Sequence, residues 1–318
     1  MIISASRRTD IPAYYSEWFF NRIKEGFLYV RNPMNIHQVS KIKLTPDVVD
    51  FIVFWTKNPA PMLDRLNELK DYPYYFQFTV TSYGQDIETN VPSKASVIIP
   101  TFQKLSDKIG KEKVIWRYDP ILLNSKYTKG YHYENFEKLA KSLSDYTEKC
   151  TISFLDFYSK TERNMKGEMI LPFTSADYDD IARNLSDIAR SYGLKMDTCA
   201  EMIDLDKYGI AHAHCIDANS IERISNYKFK LSKDKNQRKE CGCVESIDIG
   251  AYNTCKNGCK YCYANFNQQQ VCINSSNHNP TSPFLFGELD TLKDKITERK
   301  MKSLKIFDKS EQLSLNIQ

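Results

Sequence analysis

The sequence predicts an α/β protein, a partial (β/α)6 barrel of TIM-like type. Two observations carry this. Short β-rich runs recur along the first two thirds of the chain, and an amphipathic segment separates each from the next. Strands alternating with helices imply a parallel sheet joined by right-handed crossovers. A chain of 318 residues is long enough for one large domain or two medium ones, each with a sizeable core. A doubly wound open sheet is the alternative arrangement.

The expected strands are Ile2–Ser6, Val48–Trp55, Tyr74–Thr81, Val114–Tyr118, Thr151–Asp156 and Leu194–Cys199. Between them, Tyr15, Phe19 and Ile23 make one helical stripe, and Phe136, Leu139, Ala140 and Leu143 another. A third helix carries Tyr178, Ile181, Ala182, Leu185, Ile188 and Ala189 on one face, with Ser175 as its cap and Gly193 as its stop. Pro12 is placed to open the first helix. The run Tyr72–Phe76 reads as core rather than as a base-stacking platform. After Cys199 the alternation ends, and Ser232–Glu240 reads as an exposed polar connection. The expected organisation is a barrel over 1–210, a cysteine-rich segment over 211–275 packed at its mouth, and a C-terminal tail over 276–318, disordered at its Ser/Gln/Asn-rich end.

Charge and hydropathy exclude some functions. A net charge of +4 is too small for a protein that coats duplex nucleic acid, and suits a small anionic ligand or a single nucleotide. No run of about 18 apolar residues occurs, so no membrane helix is expected, and the N-terminus lacks a signal-peptide pattern. The expected location is therefore the cytoplasm. Nine cysteines in a reducing compartment read as metal ligands or reactive groups rather than as disulfides.

Six of those cysteines crowd into 241–272. The strongest motif is Cys255-Lys256-Asn257-Gly258-Cys259-Lys260-Tyr261-Cys262. Three thiolates on a short turn can hold three irons of a [4Fe–4S] cluster and leave the fourth open to a small molecule. Gly258 would let the backbone bend around it. A zinc knuckle and reduced core thiols are the alternatives, the former because Cys241 and Cys243 lie close by. Cys199, Cys215, Cys241 and Cys243 could ligate a second cluster or a zinc ion, or could be buried thiols. Cys150 and Cys272 read as bystanders, and His212 and His214 as non-ligands.

The second motif is Ser6-Arg7-Arg8-Thr9-Asp10, at the end of the first strand, where parallel folds build their sites. Two arginines there can grip a phosphate or carboxylate, with Asp10 orienting one of them, or can form a surface ion-pair network. Arg117 and Asp119 close the fourth strand, Asp156 ends the fifth and Glu201 follows the sixth. Polar groups at apolar strand ends need partners, and several of these are expected to line a wet cavity.

The Cys-x3-Cys-x2-Cys spacing, with Tyr261 before the third cysteine, resembles the signature of the radical SAM superfamily. The predicted βα units resemble that superfamily's partial barrel. Two features depart from it: the cysteine loop follows the sixth strand rather than the first, and no Gly-Gly-Glu segment follows the second. The early Arg-Arg-Thr-Asp and the late Tyr-Cys-Tyr-Ala resemble the DUF1848 family. A narrower similarity is to queuine lyases, radical SAM enzymes that free queuine from a queuosine nucleotide.

The resemblance implies a [4Fe–4S] cluster on Cys255, Cys259 and Cys262 that cleaves S-adenosyl-L-methionine (SAM), giving a 5′-deoxyadenosyl radical that abstracts hydrogen from a nucleoside-sized substrate. It implies release of queuine from queuosine or queuosine 5′-phosphate, with electrons supplied by a flavodoxin or ferredoxin. We assign catalytic roles to Asp119 and Asp10, cofactor contacts to Tyr261, Arg117 and Arg7, and substrate contacts to Arg8, Asp156 and Glu201. Two other readings stand beside this one. They are a repair or modification enzyme acting on a polynucleotide, against which the weak charge argues, and a zinc- or cluster-stabilised binding module without catalysis.

Overall fold

In the computed structural model, which describes residues 1–156 and 159–306, one sheet organises the chain. Strand β1 is Ile2–Ala5. Asp10 caps the short helix α1 (Ile11–Tyr14) through the Ala13 N–H, with Pro12 in its first turn as expected. Helix α2 (Ser16–Glu25) follows and buries Trp18, Phe19 and Phe20. A hairpin of β2 (Phe27–Asn32) and β3 (Asn35–Lys43) comes next. Then come β4 (Phe51–Thr56), a 3₁₀ segment over Ala60–Leu69, β5 (Tyr74–Thr79), α3 (Ile99–Ile109) and β6 (Val114–Ile121). Helix α4 (Lys129–Leu143), β7 (Lys149–Phe154), α5 (Ser159–Asn164), α6 (Ser175–Ser191) and β8 (Lys195–Cys199) continue the alternation. The chain then adds β9 (Ile210–Ala213), α7 (Ala218–Ser225), β10 (Ile247–Asp248), α8 (Gln268–Ser276) and β11 (Lys295–Glu298).

Eight strands form one parallel sheet in the order β10-β1-β4-β5-β6-β7-β8-β9, which does not close on itself. The α/β class is as predicted, and all six expected strands are present within a few residues. The sheet runs on past residue 210 into β9 and β10. Part of the C-terminal stretch is also structured, since β11 joins β3 and β2 in a second sheet. The Ser/Gln/Asn-rich end beyond residue 306 lies outside the described residues.

Alternation along each strand sends side chains to opposite faces. Ile3, Ile52, Phe54, Phe76, Phe78, Trp116 and Ile152 pack under the helices with Phe19, Phe102, Phe136 and Leu185. Ile2, Phe51, Val53, Tyr75 and Ile115 face the other way and are covered by Cys215, Ile216, Ile221, Phe229 and Val244. Nearer the strand ends, this second face turns polar, with Trp55, Gln77 and Arg117 in place of aliphatics.

One cap differs from expectation. Helix α6 is capped by Thr174, in a reciprocal box with Asp177, and Ser175 is the first helical residue. Threonine wins because Asp177 lies three residues on, where its carboxylate can accept the Thr174 N–H.

Candidate functional site

The cysteine loop leaves the end of β10, the edge strand beside β1. Gly258 turns it with φ +66°, a left-handed value that side chains resist. The Cys262 N–H then bonds the Cys259 carbonyl at 3.1 Å. Across the loop, the Asn90 N–H bonds the Asn257 carbonyl at 3.0 Å and the Lys260 N–H bonds Ile87 O at 2.9 Å, so the 84–91 segment holds it from one side. From the other side, the Tyr14 hydroxyl donates to Asn257 Oδ1 at 2.9 Å and the Tyr15 hydroxyl to Thr254 O at 2.6 Å. Cys259 is buried, and Cys255 and Cys262 are partly so.

The three thiols lie close enough to influence one another. Burial pushes Cys255 up to about 12, with the Asp10 and Cys262 charges adding to this. Burial raises Cys259 as well, and the Lys57 ammonium opposes that rise. Backbone N–H groups of Asn257 and Asp10 are directed at Cys255, and those of Ala264 and Asn265 at Cys262.

Beside the loop is a buried ion cluster that sequence reasoning missed. Glu88 accepts from Lys57 Nζ at 2.6 Å, from Thr81 Oγ1 at 2.7 Å, and from Lys94 Nζ and the Tyr261 hydroxyl. Burial alone would raise its carboxyl, but Lys57 and Lys94 outweigh that and hold it at about 2. Lys57 Nζ also stands 5.6 Å from the Tyr261 ring centroid. Nothing local marks Glu88, since it sits in a loop between two turn-like stretches.

Asp10 does not orient an arginine. Its Oδ2 accepts the Lys57 N–H at 2.7 Å and Asn257 Nδ2 at 3.0 Å, and its Oδ1 accepts the Ala13 N–H at 3.0 Å. It therefore ties the first loop, the end of β4 and the cysteine loop together. Arg7 and Arg8 do not form one fork, because adjacent side chains leave the turn in different directions. Arg7 stacks 5.2 Å from the Trp55 ring centroid and reaches Cys243. Arg8 stacks 5.1 Å from Tyr252 and lines a cavity of about 210 Å³ with Arg31, Tyr29, Phe266 and Phe284.

Arg117 Nε donates to Asp119 Oδ2 at 3.0 Å, and the guanidinium also stands 5.3 Å from the Trp55 ring centroid. Burial would raise Asp119, but Arg117 and the Ser153 hydroxyl hold it ionised. Glu201 behaves oppositely. Its Oε1 accepts the Phe154 N–H at 2.8 Å, yet burial, helped by Asp156 and Asp119, pushes it up to about 8. It faces a second cavity with His212, His214 and Glu240. Asp156 is exposed and paired with Arg238 at 2.5 Å. Thus Lys57, Asp119 and Glu201, from the ends of three strands, share one polar stretch, with Asp156 at its exposed margin, whereas Arg8 lines a separate cavity.

These features define an α/β protein with an open parallel sheet and a three-cysteine loop at its edge strand. The model of a domain of unknown function, DUF1848, matches residues 2–264, and the chain belongs to that family. The match takes in both cysteine groups. A search of curated proteins finds no match. No helix among the described residues is long and apolar enough to cross a membrane.

Proposed function

We propose that this chain is a radical SAM enzyme, and that it is a lyase releasing queuine from queuosine or queuosine 5′-phosphate. The observation that carries the reading is the place of the cysteine loop. In sequence it follows the sixth predicted strand, but in space it follows β10, the first strand of the row. The superfamily places its loop after its first strand, so a loop leaving an edge strand supports the reading even though the chain order differs.

The donor set suits a [4Fe–4S] cluster. Three soft sulfurs sit on one turn, with backbone N–H groups aimed at two of them. Cys255, Cys259 and Cys262 would hold it, and when bound it would supply the electron that cleaves SAM to a 5′-deoxyadenosyl radical. The chain's own residues supply the rest. The Lys57 ammonium next to Cys259 offsets thiolate charge, and Glu88 in turn keeps Lys57 in place. On this reading, the loop after β1, second in the row, is the counterpart of the one with which the superfamily grips the SAM amino group. It presents Asp10 and a buried Thr9 hydroxyl that has no hydrogen-bond partner. Glu201, which burial pushes up to about 8, is the carboxyl suited to giving a proton to a departing base. Asp119, held anionic, suits orientation of a ribose hydroxyl better than proton donation.

The test is anaerobic incubation of the full chain with SAM, dithionite and ribose-deuterated queuosine or its 5′-phosphate. Queuine release with deuterium in 5′-deoxyadenosine is the expected result. SAM cleavage with neither nucleoside consumed would overturn the lyase reading and leave the radical SAM class standing.

A further inference from the structure

We propose that Cys199, Cys215, Cys241 and Cys243 form a second metal site, a mononuclear four-thiolate zinc centre that pins the 215–244 segment onto the sheet. The four come from three places: the end of β8, the residues just after β9, and the turn ahead of β10. The fold nevertheless links them into one group. Cys199 Sγ is 3.0 Å from Cys215 Sγ, and Cys215, Cys241 and Cys243 belong to one buried cluster against which Cys199 packs.

Donors converge on these sulfurs from outside. Arg117 Nη1 is 2.9 Å from Cys215 Sγ, and the Ile216 N–H is 3.3 Å from Cys243 Sγ. The Arg7 guanidinium stands close enough for its charge to act on Cys243, and its Nη2 is buried with no hydrogen-bond partner. An unpartnered buried guanidinium nitrogen against a sulfur group calls for anionic sulfur. Four thiolates around a divalent ion carry a net negative charge that Arg7 and Arg117 oppose, and N–H groups directed at ligand sulfurs are the usual outer support of such a centre.

Spacing selects the metal. A tetrahedral zinc with bonds of about 2.3 Å sets its sulfurs about 3.8 Å apart, whereas each cysteine of a cubane serves a different iron and the sulfurs lie farther apart. The Cys199–Cys215 pair at 3.0 Å needs an opening of under about 1 Å to admit one ion. Among the described residues no three potential ligands surround a common point as they stand. The four sulfurs must therefore draw together to admit one ion.

The proposal does not depend on the radical SAM reading, and its test separates the two. The full chain carrying Cys255→Ala, Cys259→Ala and Cys262→Ala is purified anaerobically and its zinc, iron and sulfide are measured. One zinc per chain is expected, lost when Cys215→Ser or Cys243→Ser is added. In parallel, cobalt(II) is titrated into the reduced, metal-stripped parent and into its Cys215→Ser variant. Cys255, Cys259 and Cys262 contribute alike to both, so a tetrahedral thiolate–cobalt absorption clearly stronger in the parent than in the variant is expected, and this arm decides the matter if the triple variant does not fold. Iron with sulfide in place of zinc would overturn the mononuclear assignment. Identical cobalt spectra in parent and variant, with no zinc retained, would overturn the site itself.

Discussion

Glu88→Gln gives the sharpest test of the ion cluster beside the cysteine loop. Glu88 is 1% exposed and Lys57 9%, so their pairing is little weakened by solvent. The Glu88 carboxyl is held at about 2 against an ordinary 4.5. That displacement corresponds to roughly 3 kcal/mol of stability, because each pKa unit is about 1.4 kcal/mol. The sign follows from the depressed value: the contribution is complete above pH 4.5 and is lost as pH falls toward 2. Replacing Glu88 also leaves Lys57 buried beside Lys94 without its counter-charge, and breaking a buried pair from one side costs about 3–5 kcal/mol. We therefore expect Glu88→Gln to lose at least about 3 kcal/mol near neutral pH, measured by urea unfolding of the reduced, metal-free chain. The double variant Lys57→Met with Glu88→Gln should recover a large part of this, since no buried cation then stands alone. A Glu88→Gln loss under about 1 kcal/mol, or a double variant no more stable than the single, would refute the reasoning.

His132 is buried against the Tyr118 hydroxyl and the Leu122 carbonyl, and burial lowers it to about 4 from 6.5. The unfolded chain binds this proton first, so stability should fall by roughly 3 kcal/mol as pH drops from 6.5 to 4, and His132→Gln should flatten that slope. A Cβ on Gly250 would stand 2.7 Å from Ser6 Cβ, and Ser6 is buried and bonded to Asp248 and to the Arg8 N–H. Gly250→Ala should therefore destabilise the chain by about 1–3 kcal/mol in the same urea assay, and equal stability would show that the β1–β10 contact is loose. Arg7→Lys should alter cobalt binding at the Cys243 group, whereas Arg8→Lys should leave it unchanged, because the two side chains leave the turn apart.

The strands and the principal helices were legible because apolar runs such as Phe51–Phe54 and the stripe on α6 repeat at a fixed period. The hairpin of β2 and β3 was not, because exposed residues such as Met34 and Ile36 interrupt its pattern. Strand β10 is two residues long and gains its identity only by lying beside β1. That pairing moves the cysteine loop from the end of the chain to the head of the row, which no local pattern encodes. The two cysteine groups were legible as residues, but the contact of Arg7 and Arg117 with the second group was not. It depends on Trp55 from β4 lying between strands far apart in sequence. Glu88 was missed for the same reason, since its four donors come from three separate segments and the cysteine loop.

The central claim concerns the cluster on Cys255, Cys259 and Cys262. The most direct measurement is iron, sulfide and SAM cleavage in the anaerobically reconstituted full chain, with the electron paramagnetic resonance of the reduced protein recorded with and without SAM. We expect a [4Fe–4S] signal that SAM shifts, 5′-deoxyadenosine formation under dithionite, and loss of both in each single Cys→Ala variant. A chain that binds no iron, or one whose cluster signal SAM leaves unmoved and which forms no 5′-deoxyadenosine, would contradict the account.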